Sequence, residues 1–145
     1  MALIRPTRTA QWPLMAEFTW NWDDTMTNQA GTLDEFKTAA AHVFEPIPLP
    51  INAVVVGGDL TVETTFATVS TYAIIVGDSG STNRYLGTSD YKAAGRTALV
   101  PTGYVGTGEN IRMTITPTGS TATAGKATLR VLYTIRSRSN ENTIT

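Results

Sequence analysis

A chain of 145 residues with a net charge of −1 has the size of a single domain and can hold a core without covalent staples. It has no cysteine, which excludes disulfide frameworks and thiolate metal sites, and its single histidine is too few for a zinc site built on imidazoles. The charge balance supplies no basic face for nucleic acid, and no stretch approaches the ~20 apolar residues of a membrane-spanning helix.

Charged residues make up only 16% of the chain, and threonine is the commonest residue. A surface that uses threonine in place of lysine and glutamate suits β-strands, because the branched side chain fits a pleated sheet. A surface sparing in charge also suits burial against other subunits.

Residues 1–13 carry Arg5, Pro6, Arg8, Trp12 and Pro13. Their short, proline-broken apolar run does not read as a signal peptide. An extended arm ordered by contact with a partner and a frayed terminus are both open. Over residues 16–22 the chain alternates, with Phe18, Trp20 and Trp22 on one face, as a half-buried strand does. Asp23-Asp24 marks a turn.

Residues 31–45 admit two readings. Thr32 followed by Glu35 has the form of a capping box, and Leu33, Phe36 and Ala40 have helical spacing. Pro46 and the neighbouring strands favour a strand over residues 41–47, with at most a short helical turn before it. Pro46, Pro48 and Pro50 then belong to an edge or a connection, since proline cannot donate to a central ladder.

Residues 53–56 are fully apolar and read as buried on both faces. Gly57-Gly58 suggests a bulge or tight bend. Leu60, Val62 and Phe66 share the face of one strand; Tyr72, Ile74 and Val76 share that of the next. Residues 77–83 form a polar loop, and Arg84-Tyr85-Leu86 restarts a short strand. Residues 87–95 read as a long connection, 97–100 as a strand, 111–116 as an alternating strand and 117–125 as a polar connection. Residues 127–136 are the longest clean alternation in the chain. Such strands, spaced by Gly, Pro and Thr, predict an all-β antiparallel sandwich over residues 14–138, with a polar tail over residues 139–145. About eight strands and long crossovers favour a jelly roll; an immunoglobulin-like sandwich is the alternative.

No cluster of catalytic residue types occurs, and the chain reads as non-enzymatic. Residues 38–42, ending in His42, and residues 77–80, containing Ser79, resemble the histidine and serine motifs of trypsin-like proteases. An extra alanine precedes His42, Ser81 replaces a glycine, and the two motifs lie too close together for that family's two barrels. Asp78, Ser79, Ser81 and Asn83 could hold calcium through oxygen, but equally they are ordinary turn formers. Trp12, Trp20 and Trp22 could stack sugars, or serve as core and interface. Arg130, Arg136 and Arg138 near the end of the last strand would join Arg5 and Arg8 in a modest basic patch if the termini lie close. Such a patch would dock acidic groups of a partner.

The segments AVVVGGDLTVETTF (53–66), VGDSGSTNRYL (76–86), GRTALVPTGY (95–104) and AGKATLRVLYTIRSRSNE (124–141) resemble small structural proteins of tailed bacteriophages. In such proteins an apolar strand with a double glycine, a loop ending in Arg-Tyr (here Arg84-Tyr85) and a closing Tyr-x-x-x-x-Arg segment (here Tyr133 to Arg138) recur. The family resembled is that of capsid decoration, or cement, proteins. The resemblance implies a homo-oligomer, dimer or trimer, on the outer capsid surface of the virion. There it would clamp neighbouring major capsid subunits without a cofactor, nucleic acid or membrane. Arg5, Arg8, Trp12, Arg84, Tyr85, Arg136 and Arg138 are its expected contact residues. A head–tail connector or tail protein, or a carbohydrate-binding module, is the alternative.

Overall fold

A computed structural model describes residues 11–138. The arm expected over residues 1–13 lies outside the described residues except for its last three, and the tail over 139–145 lies outside them altogether. The described chain is built from β-strands, with no helix. The strands are β1 (Leu14–Asn21), β2 (Thr25–Thr27), β3 (Leu33–Glu35), β4 (His42–Ile47), β5 (Ala53–Gly77), β6 (Leu86–Asp90), β7 (Gly95–Ala98) and β8 (Ile111–Ile135).

β5 and β8, 25 residues each, run antiparallel along their whole length. Their register breaks between Val62 and Thr64, Thr64 and Ala67, Ala67 and Val69, and Val69 and Thr71. Such bulges bend a ladder, and here the paired strands fold over. On one side of the corner β1 adds to β8 and β7 adds to β5, giving the order β1–β8–β5–β7. On the other side the order is β4–β8–β5–β6. Counting each half of β5 and β8 as a strand gives two four-stranded sheets, 1-8-3-6 and 2-7-4-5. This is the jelly roll, so the expected sandwich is present and the immunoglobulin alternative is excluded. β2 and β3 form a hairpin in the crossover from β1 to β4.

Alternation puts Trp20, Leu60, Val62, Leu129 and Val131 of the first sheet against Phe44, Tyr72, Ile74, Met113 and Ile115 of the second. Trp20 Nε1 donates to Tyr72 Oη (3.3 Å), which donates to the Phe36 carbonyl (3.0 Å). The two sheets and the crossover are thus tied by a buried polar chain. Phe36 explains why residues 31–41 do not form a helix. Its ring stacks on Phe44 at 4.4 Å between centroids, and it is 1% exposed. That packing outweighs a helical spacing, and residues 42–47 are the strand favoured from the prolines.

Three expectations are corrected. Residues 87–95 are not one long connection, because β6 runs as strand to Asp90 beside β5 and β7 begins at Gly95. Residues 53–56 are not buried on both faces: Ala53 and Val55 enter the core, while Val56 is 45% exposed. One sheet face is open there, so an apolar run marks a surface as well as a core. Residues 117–125 are not a loose connection, because β8 passes through the corner as strand. Gly125 allows this. It has φ +141°, and a Cβ there would stand 2.1 Å from Phe66 Cδ1.

Candidate functional site

The strand directions sort the loops into two ends. One end gathers residues 11–13, 48–52, 78–85, 99–110 and 136–138; the other gathers the corner and residues 36–41 and 91–94. At the first end the termini of the described chain meet. Gln11 Nε2 donates to the carbonyls of Ile135 (2.7 Å) and Arg138 (2.6 Å), and the Ile135 N–H donates back to Gln11 Oε1. The Arg136 N–H donates to the Asn52 carbonyl, and the Asn52 N–H to Gly106. Four segments distant in sequence, at Gln11, Asn52, Gly106 and residues 135–138, are thereby laced together.

The described residues include six large exposed apolar side chains: Trp12, Met15, Leu33, Ile51, Val56 and Val100. All but Leu33 lie at this end or on the sheet face beside it. Met15 pairs across the ladder with Leu132, which pairs with Gly57 next to Val56. Arg136 and Arg138 are exposed among them. Exposed apolar side chains and free-standing surface arginines at one end of a sandwich are the residue types that protein-docking surfaces use. The opposite end differs in kind. There Thr68 Oγ1 donates to the Thr121 carbonyl (2.8 Å), and the hydroxyls of Thr71 and Thr118 meet at 2.6 Å.

Arg84 and Tyr85 lie at the same end but face inward. Arg84 donates through Nε and Nη2 to the Asp78 carboxylate (2.5 and 3.1 Å), and its guanidinium covers the Tyr104 ring at 3.6 Å. Tyr104 Oη donates to Glu109 Oε1 (2.7 Å). That bond and those from Thr107 pull the Glu109 carboxyl down to about 2. Tyr85 is 4% exposed, and burial pushes its hydroxyl up to about 12. The pair therefore fastens loop 99–110 from beneath. Arg5 and Arg8 lie outside the described residues.

Other candidates have structural partners. Asp78 accepts from the N–H groups of Gly80 (2.9 Å) and Ser81 (2.8 Å) as well as from Arg84, so a cation closes this loop already. His42 sets Nδ1 2.8 Å from Asp34 Oδ2 and Nε2 2.8 Å from the Thr38 carbonyl oxygen. It borders β8 on one side, while Ser79 follows β5 on the other, so the two do not meet. Trp20 is buried, Trp22 lies beneath Lys37, and only Trp12 is open, so the three form no common stacking platform.

The outer face of the first sheet carries a ladder of charges that sequence reading missed. Arg130 bridges Glu17 (3.1 Å) and Asp59 (3.3 Å), Asp59 also meets Arg96 (2.7 Å), and Lys126 meets Glu63 (3.2 Å). Burial alone would raise the Asp59 carboxyl, but the two guanidinium groups outweigh it and hold it below its ordinary value. The alternating period of β1, β5 and β8 puts these residues on one face; their partners needed the register. Arg130 is thus committed to neighbours, whereas Arg136 and Arg138 make no ion pair among the described residues.

The strand order and burial define a jelly-roll β-sandwich with exposed apolar residues and two exposed arginines at one end. No family model and no curated protein matches the sequence. Solved structures do share its fold. A chain of the acidic stable capsid structure of Helicobacter pylori bacteriophage KHP30 is 21% identical, with TM-score 0.61 over 88% of this chain and 90% of that one. A chain of the Ralstonia phage GP4 capsid is 18% identical, with TM-score 0.56 over 92% and 90%. A chain of the cyanophage Pam1 capsid asymmetric unit is also 18% identical, with TM-score 0.55 over 92% and 94%.

Proposed function

We propose that this chain is a non-enzymatic structural protein of a tailed-phage virion. It binds the outer surface of the capsid as a homo-oligomer and clamps neighbouring major capsid subunits. The observation that carries this reading is the gathering of Trp12, Met15, Ile51, Val56 and Val100 at one end, with Arg136 and Arg138 beside them. The fold shared nearly end to end with chains of phage capsid structures supports the assignment to a virion.

In this reading Trp12 and Ile51 supply apolar contact, and Arg136 and Arg138 meet acidic groups of the capsid. Arg5 and Arg8 extend the same contact along the arm. Arg84 and Tyr85 act from behind, by holding the loop that presents Val100. Each contact needs only ordinary size, about 1,600 Å². Several contacts made at once gain avidity through effective concentration.

Co-sedimentation with cognate capsids assembled without this protein tests the assignment. Trp12→Ala combined with Arg136→Ala should weaken binding at least about tenfold, as loss of an interface anchor does. Removal of the residues before Pro13 should weaken it further. Leu33→Ser, at the exposed apolar residue away from this end, should bind as the unaltered protein does. Unchanged binding by the double variant would remove this end as the contact.

A further inference from the structure

The jelly roll has four outer strands, and three of them are blunted. β6 and β7 have five and four residues. β4 contains Pro46 and a register break, and its Val43 carbonyl accepts the Gln29 N–H at 2.8 Å. These are the devices by which sheet edges avoid stray pairing. β1 has none of them. It is eight residues long, holds its register with β8 throughout, and carries Glu17 as its only charge.

The phase of this open edge is fixed by its end. The Asn21 N–H donates to Asp24 Oδ2 (2.7 Å), and the Asn21 carbonyl accepts the Asp24 N–H (3.2 Å). The Trp22 N–H instead reaches across to Gly125 in the β8 direction. In an antiparallel ladder the backbone groups of alternate residues face opposite sides. Met15, Glu17 and Thr19 therefore present their N–H and C=O groups outward. Among the described residues no partner meets them. The run is bounded by Asn21, already capped, and by Pro13, which has no N–H. Its centre is Glu17.

We propose that this edge pairs with β1 of a second copy, antiparallel across a two-fold axis at Glu17, joining the two first sheets into one. A symmetric run of free groups between two closed ends is self-complementary, as a two-fold interface must be. Met15 then stands opposite Thr19 of the other copy and Glu17 opposite Glu17, so every outward backbone group is matched. On the inner face Ala16 stands opposite Phe18, small against large, and covers a ring that one copy alone leaves half-buried. The two Glu17 carboxylates face each other, each countered by its own Arg130. The inference concerns the free chain and holds whether or not it binds capsids.

Analytical ultracentrifugation of the purified chain tests it. The expected result is a dimer that dissociates to half its mass in Thr19→Pro and Met15→Pro. Both substitutions remove an edge N–H that β8 does not use. Circular dichroism should show both variants folded. A monomeric or trimeric parent chain, or folded variants that remain dimers, would overturn the proposal. If the variants fail to fold, amide exchange in the parent chain decides. Slow exchange at Met15, Glu17 and Thr19 that speeds up on dilution supports the pairing; fast exchange at all concentrations overturns it.

Discussion

Tyr72 carries the most consequential single hydroxyl in the core. It accepts from Trp20 and donates to a buried carbonyl, so one oxygen links β1, β5 and the crossover. Tyr72→Phe leaves the Phe36 carbonyl and the Trp20 N–H without that partner, and chemical denaturation should register a loss of about 1–3 kcal/mol. Unaltered stability would show that the hydroxyl is idle. The carboxylates make a second prediction. Asp34 and Asp59, each raised by burial but lowered further by its partners, and Glu45, lowered by Arg112, all lie below their ordinary values. Glu109 lies at about 2. A carboxylate depressed by folding stabilises the fold above its unfolded value, and that contribution disappears as pH falls through its folded value. The melting temperature should therefore hold as pH falls from neutral towards 4.5, the ordinary glutamate value, and then decline towards pH 2. A decline beginning near neutrality would contradict these assignments.

At the scale of elements, the corner where β5 and β8 fold over decides the architecture. Gly125→Ala puts a Cβ into the Phe66 ring and holds a non-glycine residue at φ +141°. It should cost at least about 2 kcal/mol in thermal or chemical unfolding, from strain and overpacking combined; a neutral result would show that the corner relaxes freely. At the other end, Arg84→Met leaves Asp78 unpaired beneath loop 99–110 and should cost about 3 kcal/mol. Proteolysis within that loop should speed up in the same variant. The strands themselves were legible, because Phe18–Trp20, Leu60–Val62 and Leu129–Val131 alternate without interruption. The corner was not. Residues 117–125 turn only small side chains inward, with Ala122 fully buried and Gly125 against Phe66, and a segment of Pro, Thr, Ser, Gly and Ala without large apolar residues reads as a loop. Residues 31–41 left helix and strand both open, because Phe36 has helical spacing with its sequence neighbours while its stacking partner, Phe44, comes from another strand.

At the scale of the molecule, the candidate site was half legible. Trp12, Arg84, Tyr85, Arg136 and Arg138 do come to one end, because the jelly roll returns β5 and β8 to their starting side. Which of them face outward depended on side-chain partners that spacing cannot show. Asp78 lies six residues before Arg84 and turns it inward, whereas Arg136 and Arg138 remain exposed. Met15, Ile51, Val56 and Val100 were missed as a group, being scattered in sequence and individually unremarkable. Pairing through β1 would direct the two docking ends of a dimer apart along the strand axis, the shape of a bridge between separated capsid subunits. The most direct measurement is the number of copies bound at saturation on cognate capsids assembled without the protein. The account predicts a plateau at a fixed ratio to major capsid subunits over the whole shell. Binding of only a handful of copies would place the protein at the neck or tail, and no binding would contradict the capsid assignment outright.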